Sequence, residues 1–357
     1  MKILHIISSP AAGGAEMYVK DLSMAMSEKG HDVFILFISH AKEINRDTSF
    51  EINFLEEIES KGIQYDFIGN SCKKNPLKGI LKLRNVASIF KPDVIHSHLY
   101  YGAIFSLFTK SSKKIYTHHN IDLGANKNIY KILDLGIDDY IGICGACENM
   151  LNKITRKPVT QITNGVAENR IIKLVNYQPE KPLKVLMAGR LTEQKNFKLF
   201  LDAMIHNPTL DIELKIAGEG PERENLEHYA INNGLLPRVE FLGNCDNIKE
   251  IMTTADIFAM SSAWEGLPIA LIEATLTGLP VIVTDVGGCR EIVEHVGNGV
   301  VVSSLDYREY AEKLYDLTSD LTNLKEYHSK AIHNSLTYTI QHAVDKHISL
   351  YNKINYK

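Results

Sequence analysis

Two glutamates in the second half of the chain flank a short turn that can hold a phosphate group. Glu265 and Glu273 lie eight positions apart, and Gly266-Leu267-Pro268 between them opens a predicted helix after a predicted strand. The first backbone amides of a helix have no partner inside it, and the helix dipole favours negative charge at that end. The two carboxylates can accept hydrogen bonds from hydroxyl groups on either side. The stretch therefore fits a molecule with phosphates in the middle and sugars at both ends.

Two basic residues earlier in the same half can bind the same phosphates. Arg190 and Lys195 lie five positions apart, directly after a strand predicted for residues 184–188. The arginine offers a planar fork of donors, and the lysine offers a compact charge on a flexible stem. Together they can neutralise a diphosphate without a metal ion. The sequence contains no Asp-x-Asp motif, so we expect no metal and no bound cofactor.

Two glycines near the start of the chain mark a second turn of this kind. Gly13 and Gly14 follow a strand predicted for residues 3–8 and begin a predicted helix. Glycine lets the backbone approach a ligand closely at a helix start. The pattern is not Gly-x-Gly-x-x-Gly followed by an acidic residue, which disfavours a nicotinamide-dependent dehydrogenase. The same residues also fit a plain turn.

Four histidines lie at the ends of two predicted strands. His96 and His98 share one face of their strand, because residues two apart in a strand point the same way. No third metal ligand lies near them in the sequence, so we interpret them as packing or cleft-lining residues. His118 and His119 end the other strand and face opposite sides, so at most one of them can address a ligand. We expect His118 to pack beneath a helix.

The order of predicted elements indicates an α/β fold. Short apolar runs alternate with helix-like periodicity along the chain, which is typical of parallel sheets covered by helices on both faces. The length of 357 residues allows two domains that each bury their own core. A polar stretch that ends with Pro179-Glu180-Lys181-Pro182 predicts the linker between them.

The cysteines and the first residues favour a cytoplasmic protein. The five cysteines are scattered and odd in number, which predicts free thiols rather than a disulfide framework. The first ten residues, MKILHIISSP, have too short an apolar run for a signal peptide or a membrane-spanning helix.

Charge is unevenly distributed along the chain. Residues 1–165 carry a net charge of +3 and the remaining residues −7, so the first half is the one expected to meet an anionic partner. Basic side chains recur through a predicted helix that also carries leucines: Lys73, Lys74, Lys78, Lys82 and Arg84. This pattern fits a helix on the inner face of the cytoplasmic membrane, and it equally fits the solvated face of a core-packed helix. We expect no nucleic-acid partner.

Five motifs occur together in a combination that identifies a family. They are Glu265 and Glu273 with Gly287-Gly288 after them, Arg190 with Lys195, Gly13-Gly14, Thr117-x-His119, and Asn164-Gly165-Val166. In this combination the chain resembles the retaining GT-B glycosyltransferases of family GT4, also called glycosyltransferase group 1. The resemblance implies two Rossmann-like doubly wound domains facing across a cleft. It implies an acceptor-binding domain at 1–170, a nucleotide-sugar-binding domain at 171–335, and a last helix at 336–357 that crosses back to the first domain.

The resemblance also assigns roles to single residues. The implied catalytic residues are His119, Arg190, Lys195 and Glu265. The implied donor-binding residues are Gly13, Gly14, Arg190, Lys195, Leu242, Glu265, Gly266, Leu267, Pro268 and Glu273. In these roles Glu273 binds the ribose hydroxyls and Glu265 the hydroxyls of the transferred sugar. His119 contacts that sugar, and the strand end at Leu242 borders the base through backbone groups.

The activity implied by the resemblance is that of a metal-independent, retaining hexosyltransferase. We expect it to move a hexose or N-acetylhexosamine from a nucleotide-diphosphate sugar, with UDP favoured by its frequency in the family. The expected acceptor is a glycan or a polyprenyl-diphosphate-linked intermediate of O-antigen or capsule polysaccharide. Two alternatives stay open: a GT-B protein that binds nucleotide sugars without transferring them, and a GT-B epimerase.

Overall fold

The computed structural model describes residues 1–110, 112–120 and 127–353. The chain divides into two compact units, Met1–Gly165 with Ile340–Lys357, and Val166–Thr339. The division lies a few residues from the boundaries expected at 170 and 335. The second unit begins earlier because Val166 forms a bridge with Thr339 at the other end of that unit.

The first unit contains a parallel sheet of seven strands. They are β1 Lys2–Ile7, β2 Asp32–Phe37, β3 Gln64–Phe67, β4 Val94–Ser97, β5 Lys113–His118, β6 Asp139–Gly142 and β7 Val159–Gln161. Their order in the sheet is β3-β2-β1-β4-β5-β6-β7. The helices between them are α1 Gly14–Glu28, α2 Thr48–Ser60, α3 Pro76–Phe90, α4 Tyr100–Ser106, α5 Asn128–Leu133 and α6 Gly145–Asn152.

The second unit contains a parallel sheet of six strands. They are β8 Leu183–Ala188, β9 Ile212–Ala217, β10 Val239–Gly243, β11 Ile257–Met260, β12 Val281–Thr284 and β13 Gly299–Val302, in the order β10-β9-β8-β11-β12-β13. Its helices are α7 Phe197–His206, α8 Arg223–Asn232, α9 Ile248–Met252, α10 Ile269–Thr277, α11 Cys289–Val296, α12 Tyr307–Ser319 and α13 Leu321–Asn334.

Burial on both faces explains the apolar strands. Every residue of β11 and of β12 is buried, as expected for inner strands of a parallel sheet with helices above and below. Side chains from the helices complete this core, among them Phe200 of α7 and Tyr310 of α12. The predicted α/β fold with two doubly wound sheets is therefore confirmed.

Two helix ends differ in detail from the prediction. The helix predicted to begin at Pro268 begins at Ile269, and Pro268 is its extended N-cap residue, with φ −74° and ψ 118°. The last helix was expected at 336–357, of which residues 354–357 lie outside the described residues. This helix, α14, spans Ile340–Asn352 and belongs to the first unit. It is joined to β5 there by Lys113, whose Nζ donates to the carbonyl of Leu350 at 2.7 Å.

Each sheet has one point at which the strand order reverses. In the first sheet this switch point lies between β1 and β4, and in the second between β8 and β11. The two strands at a switch point lead to helices on opposite faces of the sheet, and the crevice at the carboxyl ends of these strands is where doubly wound sheets bind ligands. Gly13 and Gly14 follow β1, Arg190 and Lys195 follow β8, and Glu265 follows β11.

Candidate functional site

The two loops that leave the switch point of the second sheet lie side by side. They comprise residues 189–196 after β8 and residues 261–268 after β11. The amide of Ala263 donates to the carbonyl of Gln194 at 2.8 Å, and the Gln194 side chain donates to the carbonyl of Trp264 at 3.1 Å. These bonds hold together two segments that are about 70 residues apart in the chain.

Lys195 and Glu265, both predicted as catalytic, form a partly buried ion pair between these loops. Lys195 Nζ lies 2.6 Å from Glu265 Oε1, and the hydroxyl of Ser262 donates to the same oxygen at 2.7 Å. The side chains of the lysine and the glutamate are 21% and 6% exposed. Lys195 thus supplies the counter-charge that a buried carboxylate needs. An anionic ligand at this turn must share Lys195 with Glu265.

The turn after Glu265 is held in place by the loop that follows β12. The amide of Gly288 donates to the carbonyl of Gly266 at 2.8 Å. Gly287 has a φ of 56°, and a Cβ added there would lie 2.3 Å from the carbonyl oxygen of Glu265. Only glycine fits this close approach. The side chains of Leu267 and Pro268 are buried, so their contribution to an anion site is backbone position at the start of α10.

Arg190 and Leu242 lie at different distances from the switch point. Arg190 is exposed directly after β8, and within the described ranges no ion pair involves it, so its guanidinium is available to a ligand. Leu242 is half-buried on β10, which is the edge strand two positions from β8. The structure therefore brings Arg190 to the crevice and leaves Leu242 at its margin.

Glu273 is paired with a residue that the sequence did not single out. Arg170 Nη2 donates to Glu273 Oε1, and the two side chains are 21% and 9% exposed. Arg170 ends a 3-10 turn, Glu168–Arg170, near the start of the second unit. The amide of Leu174 also donates to the carbonyl of Thr277 at 2.9 Å, which fastens this segment along α10. Arg170 lies in the segment that was predicted to be a linker, and a cation four residues after Val166 was the signal that could have singled it out.

In the first unit, Gly13 and Gly14 lie at the start of α1. Gly13 is the N-cap residue, with an extended φ of −141°. A Cβ added to Gly13 would lie 2.2 Å from Glu16 Oε2, because the Glu16 carboxylate folds back over the turn and accepts a hydrogen bond from Ser8. That carboxylate is the far end of a flexible side chain and can move aside, so packing alone does not require glycine here, and the role of Gly13 in binding a sugar donor stays a prediction.

His119 ends a chain of hydrogen-bonded imidazoles. Its Nε2 and His98 Nδ1 share a hydrogen bond of 3.0 Å, and His98 Nε2 and His5 Nδ1 share another of 3.0 Å. Burial lowers the pKa of His5 and of His119 to about 3. Both rings are therefore neutral near pH 7, and His119 can exchange hydrogen bonds with a ligand without adding a charge.

The ring nitrogens of His5, His96 and His98 lie within 4.8 Å of one another, which is metal-binding reach. His5 supplies the third histidine that the sequence did not place there, since β1 and β4 are neighbours only in the folded sheet. However, His96 already bonds Thr117 Oγ1 and Tyr351 Oη, each at 2.7 Å, and both nitrogens of His98 are bonded to histidines. We therefore assign the cluster as a hydrogen-bonded core, in agreement with the packing interpretation.

His118 packs beneath a helix, as predicted. Its Nδ1 shares hydrogen bonds with Tyr116 Oη at 3.2 Å and with Tyr130 Oη at 3.1 Å. Tyr130 belongs to α5, and its ring meets the imidazole edge to face. The two adjacent histidines thus point to different surroundings, as residues on a strand must.

Sequence comparison assigns the chain to a family. The model of Glycosyltransferase Family 4 matches residues 12–170, and the model of Glycosyl transferases group 1 matches residues 169–334. The chain belongs to the group 1 glycosyltransferases. The predicted family is confirmed by two matches that together span both units.

Related proteins resemble this glycosyltransferase over nearly its whole length. It is 24% identical over 353 residues to the O-antigen biosynthesis glycosyltransferase WbnH of Escherichia coli, with 97% of each chain covered. It is 26% identical over 362 residues to the Campylobacter jejuni GalNAc-α-(1→4)-GalNAc-α-(1→3)-diNAcBac-PP-undecaprenol α-1,4-N-acetyl-D-galactosaminyltransferase, with 98% of each covered. The crystal structure of HepE from Anabaena in complex with UDP superposes with a TM-score of 0.82 at 20% identity, covering 99% and 100% of the two chains. The glycosyltransferase thus has the predicted GT-B fold.

Within the part of the chain that the structure describes, no helix is long and apolar enough to cross a membrane.

Proposed function

We propose that this glycosyltransferase moves a hexose or N-acetylhexosamine from a UDP-sugar to a hydroxyl of a polyprenyl-diphosphate-linked glycan, with retention of configuration and without a metal ion. The observation that carries the proposal is the pairing of both predicted sugar-binding carboxylates with cations, Glu265 with Lys195 and Glu273 with Arg170. Arg190 is exposed in the same loop as Lys195. Each carboxylate that is proposed to bind a sugar thus has a cation next to it, and both pairs lie in the second unit.

The diphosphate would bind at the switch point of the second sheet. Arg190 and Lys195 supply two positive charges there, and the start of α10 supplies the positive end of a helix dipole. As the bond from the sugar to the diphosphate breaks, negative charge grows on the leaving oxygen. Fixed cations aimed at that charge lower the barrier without waiting for solvent to reorganise. In this proposal the two cations neutralise the diphosphate charge that a metal ion neutralises in other transferases.

The two carboxylates would hold the sugars at either end. Glu273 accepts hydrogen bonds from the ribose hydroxyls and Glu265 from the hydroxyls of the transferred sugar. Because Lys195 and Ser262 both bond Glu265 Oε1, this carboxylate is an anchored acceptor of hydrogen bonds rather than a free nucleophile. We therefore favour front-face attack. The acceptor oxygen bonds to the anomeric carbon as the diphosphate leaves, and the leaving phosphate takes the acceptor proton.

The choice of substrates draws on the similar proteins. HepE was solved with UDP, which supports a uridine nucleotide. The name of the Campylobacter relative gives an undecaprenol-diphosphate-linked glycan and an α linkage, which support the acceptor class and retention. WbnH is named for O-antigen biosynthesis, which supports a surface polysaccharide as the product.

Calorimetry with single nucleotides tests the proposed donor site. We expect UDP to bind, GDP and ADP to bind at least tenfold more weakly, and EDTA to leave the affinity for UDP unchanged. Glu273→Gln should weaken UDP binding roughly tenfold or more, because hydrogen bonds to a charged group are lost. An affinity for UDP that disappears with EDTA would contradict the metal-free site. Equal binding of all three nucleotides would contradict the preference for uridine.

Helix α3 suggests how the glycosyltransferase reaches a lipid-linked acceptor. Leu83 and Val86 are buried in the core of the first unit, whereas Leu77 and Leu81 are 67% and 64% exposed one turn apart on the other side. Three lysines flank these leucines and form no ion pair with any residue of the described ranges: Lys73, Lys74 and Lys78. The helix thus combines both interpretations of its sequence, because one face packs on the core and the other presents leucines among cations. That second face fits an anionic membrane surface.

Vesicle sedimentation tests this membrane contact. The glycosyltransferase should bind vesicles that contain phosphatidylglycerol and bind pure phosphatidylcholine far more weakly, since basic side chains favour an anionic surface. Replacing Leu77 and Leu81 by serine should weaken the binding roughly tenfold or more, because their apolar surface no longer leaves water. Leu336→Ser, which changes a leucine 58% exposed in the second unit, is the matched control and should have no effect. Equal binding by both variants would contradict a role for α3.

A further inference from the structure

We infer that Arg170 is a positioning residue for sugar-donor binding. It holds the Glu273 carboxylate where that group can accept hydrogen bonds from the ribose hydroxyls. The inference rests on the proposed function, since it concerns the same site. It adds a residue from a segment that lies outside all the motifs of the sequence. Arg170 is 103 positions from Glu273 in the chain, and the two are brought together only by the fold.

The ion pair constrains Glu273 more than a surface pair would. Both side chains are mostly buried, and the guanidinium nitrogen Nη2 bonds Oε1 directly. A charge-assisted hydrogen bond from a guanidinium is stronger than a neutral one, so it holds the bonded carboxylate oxygen in place. A carboxylate has acceptor capacity for about four hydrogen bonds, so it can hold Arg170 and ribose hydroxyls together.

The backbone around Arg170 is held by contacts within the second unit. Its turn lies between the bridge from Val166 to Thr339 and the bond from the amide of Leu174 to the carbonyl of Thr277. Lys249 Nζ also donates to the carbonyl of Asn169 at 3.0 Å. Arg170 is therefore delivered to α10 by an anchored segment, and its position does not depend on a ligand.

This role predicts a specific pattern of affinities. Arg170→Gln should weaken UDP binding roughly 10- to 100-fold, since the carboxylate loses its charged partner and its orientation. Binding of inorganic pyrophosphate should stay unchanged, because Arg190 and Lys195 hold the phosphates. Binding of 2′,3′-dideoxy-UDP, which lacks both ribose hydroxyls, should also stay unchanged. Arg170→Lys should recover part of the lost affinity for UDP, because it restores the charge without the fork.

A double-variant cycle by calorimetry tests whether Arg170 acts through Glu273. If it does, Arg170→Gln combined with Glu273→Gln binds UDP no more weakly than Glu273→Gln alone. The matched control is Arg238→Gln. Arg238 is a part-buried arginine that directly precedes β10, away from the carboxyl ends of the strands, and it donates to the carbonyl of Leu210. Its substitution should leave UDP binding unchanged. Pyrophosphate binding by each variant also reports that the second unit is folded.

Three outcomes would overturn the inference. UDP binding by Arg170→Gln equal to that of the unsubstituted chain would show that Glu273 needs no such partner. Equal losses for UDP and pyrophosphate would make Arg170 a phosphate ligand or a purely structural residue. Additive losses in the double variant would mean that Arg170 acts independently of Glu273. Failure of the unsubstituted chain to bind UDP is different, because it would overturn the proposed function and this inference with it.

Discussion

Replacing Lys195 by methionine should lower the rate of sugar transfer by roughly 100- to 1,000-fold, the usual loss when one preorganised group facing a developing anion is removed. Lys195 lies within 2.6 Å of Glu265 and follows β8 at the switch point, so it can reach both the diphosphate and the carboxylate. Initial rates of UDP release in the presence of acceptor measure the effect. Lys198→Met is the matched control, because Lys198 pairs with Asp202 on the exposed side of α7 and should be nearly neutral.

The same substitution should also destabilise the second unit. Without Lys195, Glu265 is left 6% exposed and lacks its cation, and breaking a buried pair from one side typically costs about 3–5 kcal/mol. The double variant Lys195→Met, Glu265→Gln should regain much of that stability, because no buried charge remains, while its transfer rate stays low. Recovery of the transfer rate in the double variant would contradict the assignment of Lys195 to the leaving diphosphate.

Acid should unfold the first unit well above the pH at which carboxylates titrate. His5, His96, His98 and His347 are all buried, and burial lowers the pKa of each, to about 3 for His5 and His347. Their unfolded value is 6.5. The unfolded chain therefore binds more protons, so stability is complete above pH 6.5 and is lost as the pH falls towards 3. Each such histidine contributes about 1.4 kcal/mol per pH unit in that window.

Urea unfolding followed by far-ultraviolet circular dichroism, at pH values from 7.5 to 5, measures this dependence. Two or more of these histidines acting together should remove several kcal/mol by pH 5, a large share of a typical stability of about 5–15 kcal/mol. His347→Leu should flatten the dependence, since one buried imidazole is gone. His333→Gln, which changes an exposed histidine, should leave it unchanged. A stability that is constant from pH 7.5 to 5 would contradict the neutral histidine core.

The architecture was accessible from the sequence because parallel sheets leave a strong local signal. Strands such as β11 and β12 are buried on both faces, so they appear as unbroken apolar runs between helical segments. The grouping of Arg190, Lys195 and Glu265 followed from the same logic, because each residue lies in a loop that leaves a strand and the strands end at one edge of the sheet. The exact ends of helices are harder to predict from sequence. Pro268 was expected to be the first residue of α10 and is its N-cap, because the two positions favour similar residues.

What the sequence did not show depends on contacts between distant segments. The Arg170 and Glu273 pair joins a linker-like turn to the middle of a helix, and no spacing rule connects the two. His5 joined His96 and His98 only because the chain crosses from β1 over β2 and β3 before returning to the neighbouring strand. Leu242 was assigned to the base by family resemblance alone, and its place on an edge strand could not be derived from its residue type.

Proton NMR of a complete reaction tests the central proposal most directly. The glycosyltransferase is mixed with a UDP-hexose or a UDP-N-acetylhexosamine and a polyprenyl-diphosphate-linked N-acetylhexosamine, and the anomeric signals are followed with time. We predict that UDP is released only when the acceptor is present and that the new glycosidic bond has the α configuration of the donor. A β-linked product would contradict retention. A sugar isomerised without acceptor, or UDP-sugar bound but never consumed by any acceptor, would contradict glycosyl transfer itself.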